Sequence, residues 1–162
     1  MNRLNLISFK SVIYISTTIV IIDQLTKYIA TIMYQENSNF EIFPMILNIT
    51  MVKNTGAAFS LFSESTLFLA ILSLLVSAVI IIWGLRNSPL KIAEGLFASF
   101  LLGGTIGNGI DRWRLGYVID FLQLIPIKFP IFNFADISIN IAVLILLVDT
   151  IRRVKIKDDL QY

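Results

Sequence analysis

Two aspartates, Asp120 and Asp136, are the side chains of this sequence best suited to hydrolytic chemistry. Asp120 lies in the apolar run YVIDFLQLI, where a charge facing lipid would be costly. Asp136 stands at the predicted start of a helix, where free N–H groups and the helix dipole favour an anion. Considered by itself, it would be interpreted as the N-cap of that helix. If the two carboxylates meet, they can share a proton, activate water and protonate a carbonyl oxygen. Solvated loop charges are the competing interpretation.

The absence of His and Cys from the 162 residues excludes several other kinds of site. Zinc sites of imidazole or thiolate ligands, Cys nucleophiles and Ser-His-Asp triads all require one of these residues. Chemistry must therefore use Asp, Glu, Lys, Ser, Thr or Tyr, or an unseen metal. We expect no cofactor and no metal.

Four further polar side chains lie where they could assist the aspartates. Asn108 and Arg112 follow the glycine-rich stretch LLGGTIG, and an amide and a guanidinium at a helix end can fix carboxylates or bind substrate carbonyls. Asn54 and Asn133 are further amides in the two longer segments between the apolar stretches, and either could have the usual role of Asn, which is in a turn. The glycines themselves predict close helix packing.

Charged residues inside the apolar stretches have plainer interpretations. Asp23 and Lys27 are four residues apart, so one helix face carries both and an intrahelical ion pair is expected. Glu94 and Asp149 fall near predicted helix ends, where a solvated or snorkelling charge is expected.

The elements that must position these residues are predicted to be membrane-spanning helices. The chain is 56% hydrophobic and 15% charged, and its mean hydropathy is +0.80. Since about 20 apolar residues cross a bilayer, four spans and their loops use the whole length. We predict a single membrane domain over residues 1–162, with spans at 12–33, 66–85, 92–110 and 137–151. The first stretch lacks a signal-peptide cleavage site, so we expect a retained helix.

The distribution of Lys and Arg predicts the orientation. Basic residues flank the predicted spans on one side, at Arg3, Lys10, Arg86, Lys91, Arg152, Arg153, Lys155 and Lys157. Cytoplasmic loops carry such an excess, so both termini are expected in the cytoplasm. Residues 34–65 and 111–136 then face outward. The first of these segments predicts a short sheet that ends at the Asn54-Thr55-Gly56 turn and resumes beyond it, and the second is typical of an aromatic-rich segment in the headgroup region.

Five stretches of the sequence, in this order, resemble the lipoprotein signal peptidases, also called signal peptidase II. They are DQLTK at 23–27, NTGAAF at 54–59, GGTIGNGIDR at 103–112, VIDF at 118–121 and FNFAD at 132–136. Together with the four spans, they cover nearly the whole chain.

The resemblance implies a membrane-embedded aspartic endopeptidase that cuts diacylglyceryl-modified prolipoproteins just before the lipidated Cys. By position, Asp120 and Asp136 are the catalytic pair, and Asp23 and Lys27 steady the fold. Substrate-binding or supporting roles are implied for Asn54, Gly56, Gly104, Asn108, Arg112, Asn133 and Ala135. The implied fold is an all-α polytopic membrane protein of four transmembrane helices, with a small extracytoplasmic β-sheet (the cradle) and a short interfacial helix.

The resemblance also implies partners and a location. We expect a monomer in the bacterial cytoplasmic membrane, in contact with lipid, with its active site at the extracytoplasmic surface. It is expected to bind family inhibitors such as globomycin, and no nucleic acid. One departure is that Ile137 follows the Ala-Asp pair, where many members have Ser, and Ser138 comes one residue later.

Two other functions are alternatives to this one. A proton-coupled transporter or channel component would place carboxylates near the bilayer midplane on broken helices, whereas Asp120 and Asp136 are predicted at one surface. A Ser-Lys peptidase using Ser60 and Lys53 would need a desolvated lysine, and no neighbour of Lys53 in the sequence requires that.

Overall fold

Four long helices form most of the computed structural model, which describes residues 6–36, 40–56 and 65–159. They are α1 (Phe9–Glu36), α2 (Thr66–Asn87), α3 (Ile92–Leu115) and α4 (Phe134–Asp159). In the described part of the chain, α1, α2 and α4 are long and apolar enough to cross a membrane. The protein is therefore predominantly helical and consistent with a polytopic membrane protein.

Each helix contains one of the predicted apolar stretches, and all four extend further at one end or both. The largest difference is in α4, which was predicted over residues 137–151 and runs from Phe134 to Asp159. The hydropathy pattern marks only the residues suited to hydrocarbon, whereas backbone hydrogen bonds continue the helix through polar residues on either side.

Helix α3 is the centre of the bundle and packs against each of the other three helices. Its buried face consists largely of small residues, including Gly95, Ala98, Ser99 and Gly103. A Cβ atom on Gly103 would lie 2.8 Å from the side chain of Ile19 in α1. Small side chains thus allow the close helix approach that the glycine pattern predicted.

A three-stranded antiparallel sheet covers one end of the bundle, in the order β2, β3, β5. β2 (Phe40–Phe43) and β3 (Leu47–Asn54) form a hairpin, and β5 (Val118–Leu124) pairs with β3 with Asp120 opposite Val52. The predicted strand before Asn54 is therefore present. The interpretation of the second outward segment was incomplete, because β5 is a strand whose partner is distant in sequence.

Two other expectations about these segments have different outcomes. The described residues 40–56 and 116–133 contain no short helix, so the interfacial helix is not found there. The strand expected to resume beyond the Asn54-Thr55-Gly56 turn would fall on residues 57–64, which lie outside the described residues.

The opposite end of the bundle is closed by a small sheet. β1 (Leu6–Ile7) pairs with β4 (Leu90–Lys91), which places the start of α1 beside the connection between α2 and α3. Arg153 of α4 reaches the same end and forms an ion pair with Glu94. The first residues of α1 and the last turns of α4 thus lie at the end remote from the three-stranded sheet.

Candidate active site

A cavity of about 830 Å³ opens where the three-stranded sheet meets helices α2, α3 and α4. Asp120 and Asp136 both line it, together with the polar side chains of Asn54, Asn108 and Arg112. The rest of its wall is largely apolar, with contributions from α2 and from the segment Phe129–Phe132.

Asp120 is carried by strand β5 and is almost completely buried, at 2% exposure. Its two carboxylate oxygens accept hydrogen bonds from the side-chain amides of Asn54, at 2.8 Å, and Asn133, at 2.6 Å. Asn54 is itself fixed, because its side-chain oxygen accepts the N–H of Gly56 at 2.9 Å. The Asn54 turn therefore orients Asp120 from the neighbouring strand.

Asp136 is the third residue of α4, and Asn133 rather than Asp136 is the N-cap of this helix. The side-chain oxygen of Asn133 accepts the N–H of Asp136 at 2.9 Å, and the Asp136 carboxylate accepts the N–H of Asn133 at 3.1 Å. This reciprocal arrangement corrects the N-cap interpretation of Asp136. A second carboxylate oxygen accepts the amide of Asn108 at 2.8 Å.

The structure brings the two carboxylates together at a shared partner, Asn133, which binds both of them. Burial, and after it the nearby charge of Asp136, raises the pKa of Asp120 to about 6. Such an arrangement can hold a proton near neutral pH, as general acid–base chemistry requires.

A buried ion network lies directly behind the carboxylates. Lys27, only 2% exposed, contacts the carboxylates of Asp23 at 2.9 Å and Asp111 at 2.8 Å. It also donates to the side-chain oxygen of Asn108 at 3.0 Å, and Asp23 accepts the N–H of Ala135 at 2.9 Å. The expected Asp23–Lys27 ion pair is present, and it connects α1 to the α3 and α4 residues around Asp136.

Two members of this network, Asp111 and Gln24, were assigned no role from the sequence. Asp111 accepts the N–H of Ile119, next to Asp120, at 3.2 Å, and Gln24 donates to Asp111 at 3.0 Å. Asp111 thereby joins α3 to strand β5. Its position three residues after Asn108, beside Arg112 at a helix end, was the available signal.

Arg112 lies at the cavity, whereas Gly104 and Ala135 lie between helices α3 and α4. A terminal nitrogen of Arg112 donates to the carbonyl of Gly56 at 3.1 Å, and its buried Nε has no hydrogen-bond partner among the described residues. Gly104 packs against the backbone of α4, where an added Cβ would lie 2.5 Å from the carbonyl oxygen of Ala135. Gly104 and Ala135 therefore set helix spacing, while Arg112 lines the cavity.

Ser138, which stands one residue later than the family's usual Ser, bonds within its own helix. Its hydroxyl donates to the carbonyl of Phe134 at 3.0 Å and is buried. The hydroxyl thus caps a backbone carbonyl of α4.

The groups that other interpretations would use lie in three places: Lys53 lines the same cavity as the two carboxylates, Glu94 and Asp149 lie at the far end of the bundle, and Ser60 lies outside the described residues. Ser60, Ala57, Ala58 and Phe59 belong to residues 57–64, which are not described, and the ammonium group of Lys53 lies 5.1 Å from the ring centre of Tyr117. Glu94 and Asp149, expected as solvated charges, both pair with Arg153 at the far end of the bundle. Within the described part of the chain, no cluster of three acidic side chains could hold a metal ion.

The fold and the cavity define a class: a polytopic helical membrane protein with two carboxylates, one buried and one partly buried, at the sheet-covered end of its bundle. Residues 15–152 match the family model of signal peptidase (SPase) II. This chain therefore belongs to the signal peptidase II family, and it is a bacterial-type, multi-pass membrane protease.

Similar proteins agree with this assignment. The chain is 52% identical over 131 residues to a lipoprotein signal peptidase of Parasynechococcus marenigrum, covering 81% of this chain and 82% of that one. It is 45% identical to a lipoprotein signal peptidase of Gloeothece citriformis over 78% of this chain and 79% of the relative. A solved structure described as a bacterial membrane enzyme superposes with a TM-score of 0.83 at 31% identity, covering 91% of this chain and 92% of that chain.

Proposed function

We propose that this protein is an aspartic endopeptidase that removes the signal peptide from diacylglyceryl-modified prolipoproteins, just before the lipidated Cys. Family membership supports the prolipoprotein substrate. The aspartic mechanism is supported by one observation above all: Asp120 and Asp136 line one cavity and both bind Asn133.

In the proposed mechanism the two carboxylates share one proton and hold a water between them. The ionised carboxylate takes a proton from the water as its oxygen attacks the scissile carbonyl carbon, and the protonated carboxylate donates to the carbonyl oxygen. When the tetrahedral intermediate collapses, the C–N bond breaks and the leaving amine takes up a proton from the pair. The guanidinium of Arg112, which lines the cavity, can bind a substrate carbonyl during these steps.

The surrounding residues are assigned supporting roles. Asn54, Asn108 and Asn133 orient the carboxylates, while Gly56 and Arg112 shape the cavity wall. Gly104 and Ala135 set the spacing of α3 and α4. The ion pair of Asp23 and Lys27 stabilises the fold behind the two carboxylates. We propose no cofactor.

The proposed architecture has four transmembrane helices, with α3 as the fourth span, and the three-stranded sheet as an extracytoplasmic cradle. We propose a single integral membrane peptidase domain over residues 1–162. Lys and Arg at the remote end of the bundle support cytoplasmic termini, so the carboxylates would lie at the outer surface of the cytoplasmic membrane. We further propose a monomer that binds globomycin in the cavity described above and no nucleic acid.

The test is cleavage of a diacylglyceryl-modified prolipoprotein by the purified protein in detergent. We expect Asp120→Asn and Asp136→Asn each to reduce the cleavage rate by about 10²- to 10⁴-fold, because each removes a proton-transferring group. Glu41→Gln, on the exposed strand β2, is the matched control and should cleave as the unmodified protein does.

Two results would contradict the proposal. One is normal cleavage by a folded Asp120→Asn or Asp136→Asn variant, with folding checked by thermal melting. The other is equal cleavage of matched prolipoproteins with and without the diacylglyceryl group, which would remove the lipid from the substrate definition.

A further inference from the structure

A second cavity, of about 820 Å³, lies between α2, α3 and α4 at the end of the bundle remote from the two aspartates. Val76 of α2 and Leu101 of α3 line both this cavity and the cavity of the candidate active site. The two cavities are therefore adjoining parts of one groove, which we call the seam groove.

One face of α3 is the floor of the seam groove along its length. Apart from Glu94 at its first turn, the lining residues of α3 recur at helical spacing, and they are Ala93, Phe97, Leu101, Thr105, Asn108 and Arg112. Helices α2 and α4 form the two walls; each packs on α3, but they barely touch each other. The groove is therefore open sideways to the lipid along its length.

The polar ends of the seam groove differ from its middle. At one end lie Asp120, Asp136 and Arg112, and at the other Arg153 bridges Glu94 and Asp149 at 2.8 and 2.7 Å. These last three side chains carry a net single negative charge. Between the ends, the lining of the remote cavity is almost entirely apolar.

We propose that the seam groove binds the signal peptide of the substrate as a helix, with its apolar segment on α3 and its basic N-terminal region at Glu94 and Asp149. This inference rests on the proposed function. Signal peptides have a basic N-terminal region followed by an apolar segment of roughly 7–15 residues, which as a helix is about 10–22 Å long. Asn108, which contacts Asp136, and Glu94 are 14 residues apart on α3, or about 21 Å.

The occupant is thus matched to the seam groove in length, polarity and charge. Continuity with the candidate active site places the C-terminal end of the bound helix at the carboxylates, where cleavage occurs. Lys or Arg of the N-terminal region would compete with Arg153 for the two carboxylates at the other end. A lipid acyl chain would fill the same apolar surface, but it carries no basic group to place at Glu94 and Asp149.

Neighbouring leucines of α4 provide a matched test. Both are exposed, but Leu146 lines the groove, whereas Leu144 lines none of the cavities described above. We expect Leu146→Trp to raise the KM for a full-length prolipoprotein about tenfold more than it raises the KM for a short lipidated peptide without the apolar and basic segments. Leu144→Trp should show no such difference. Equal behaviour of the two variants on both substrates would overturn the proposal.

The short peptide also separates this proposal from the proposed function. If the unmodified protein cleaves neither substrate, the peptidase assignment itself fails. If it cleaves both and Leu146→Trp does not discriminate between them, only the seam groove proposal fails.

Because the sequence contains no Cys, a single introduced thiol gives a second measurement that does not depend on activity. In an Asp120→Asn background, Leu146→Cys should form a disulfide under oxidation with a Cys placed in the apolar segment of a bound prolipoprotein, and Leu144→Cys should not. Crosslinking from both positions, or from neither, would contradict the proposal and leave lipid as the occupant.

The charged end is tested from both sides of the contact. Replacing the basic residues of the signal peptide by Gln should raise KM about threefold, as expected for exposed ion pairs. With Glu94→Gln and Asp149→Asn combined, the same substrate change should have no further effect, which a double-mutant cycle measures. Additive effects would exclude this end of the groove as the place where the basic region binds.

Discussion

Asn133 is the residue on which the geometry of the candidate site depends most. Its side-chain amide donates to Asp120 at 2.6 Å and to Asn108 at 3.0 Å. Its backbone N–H and side-chain oxygen pair with Asp136. One completely buried side chain therefore caps α4 and fixes the position of both aspartates.

We predict that Asn133→Ala lowers both stability and activity. Loss of the N-cap should cost about 1–2 kcal/mol of unfolding free energy, and the carboxylates lose their common partner. Cleavage should fall by at least about tenfold at temperatures where the variant is folded. Asn87→Ala, which removes an exposed Asn from the end of α2, is the control and should change neither quantity. Unchanged cleavage by Asn133→Ala would show that the pair is positioned without it.

Asp120 should make the stability of the protein depend on pH. Its pKa of about 6 lies above the ordinary value of 3.8, so the folded state retains the proton longer than the unfolded chain does. This contribution to stability is therefore full below about pH 4 and is lost as the pH rises to about 6, by a total on the order of 3 kcal/mol.

The measurement is the difference in melting temperature between the unmodified protein and Asp120→Asn from pH 4 to pH 7. We expect the melting temperature of Asp120→Asn to rise relative to that of the unmodified protein as the pH rises, because Asn has no proton to lose. Parallel melting curves over this range would show that Asp120 does not titrate as described.

At the residue scale, the sequence indicated which side chains belong to the candidate site better than it indicated the hydrogen bonds between them. The apolar surroundings of Asp120 and the helix start at Asp136 were visible as local patterns. The role of Asn133 in bridging the two aspartates was not visible in the sequence. Asn is common in turns, and the hydrogen bonds of this side chain reach residues of α3, β5 and α4 that are distant in sequence or across a helix start.

At the scale of elements, the spacing of α3 and α4 decides whether Asp136 reaches the cavity. Gly104 permits this spacing, because its Cα faces the backbone of α4 at Ala135 and the side chain of Ile139. The same glycine-rich helix packs on α1 through Gly103. Because these two contacts leave no room for larger side chains at Gly103 and Gly104, α1 and α4 pack closely on α3, and α3 supports the candidate site.

Gly104→Ala should therefore destabilise the protein by about 1–3 kcal/mol and reduce cleavage, because the new methyl group meets a backbone carbonyl that cannot rotate away. Gly109→Ala is the matched comparison. There the nearest atom, at 2.7 Å, is the hydroxyl of Ser73, which can change its rotamer. Thermal melting and cleavage of both variants test this difference. An equal effect of the two substitutions would mean that α4 can shift freely on α3.

The helices were predictable as elements because long apolar stretches leave few alternatives in a membrane. Their ends were not, because polar residues continue the helical backbone at α4 and α3. Strand β5 was missed for another reason: its pairing with β3 joins residues such as Val52 and Asp120, and no local pattern reports a partner at that distance.

At the scale of the whole molecule, the ion network around Lys27 ties the described parts of the chain together. Asp23 and Gln24 come from α1, Asp111 from α3, and the N–H groups of Ile119 and Ala135 come from β5 and the start of α4. Lys27 is tolerated in a buried position because it contacts the carboxylates of Asp23 and Asp111, and each of these carboxylates accepts further hydrogen bonds.

We predict that Asp23→Ala lowers the unfolding free energy by about 3 kcal/mol, since it leaves Lys27 with one carboxylate and the Ala135 N–H without its acceptor. Cleavage below the melting temperature should fall less than in the Asp120 and Asp136 variants. Thermal melting and cleavage rates of the same preparations provide the test, with Glu41→Gln as the control. Equal melting temperatures would contradict the structural role of Asp23.

The dispersal of the site over the chain has a consequence for biosynthesis. Asn54, Asn108, Asp120 and Asp136 belong to four different elements, β3, α3, β5 and α4, and Asp136 is synthesised last. By the proposed mechanism, a nascent chain that has inserted only its first three helices holds one acid of the pair and cannot cleave. Activity would then begin only when α4 has inserted and has brought Asp136 to the cavity.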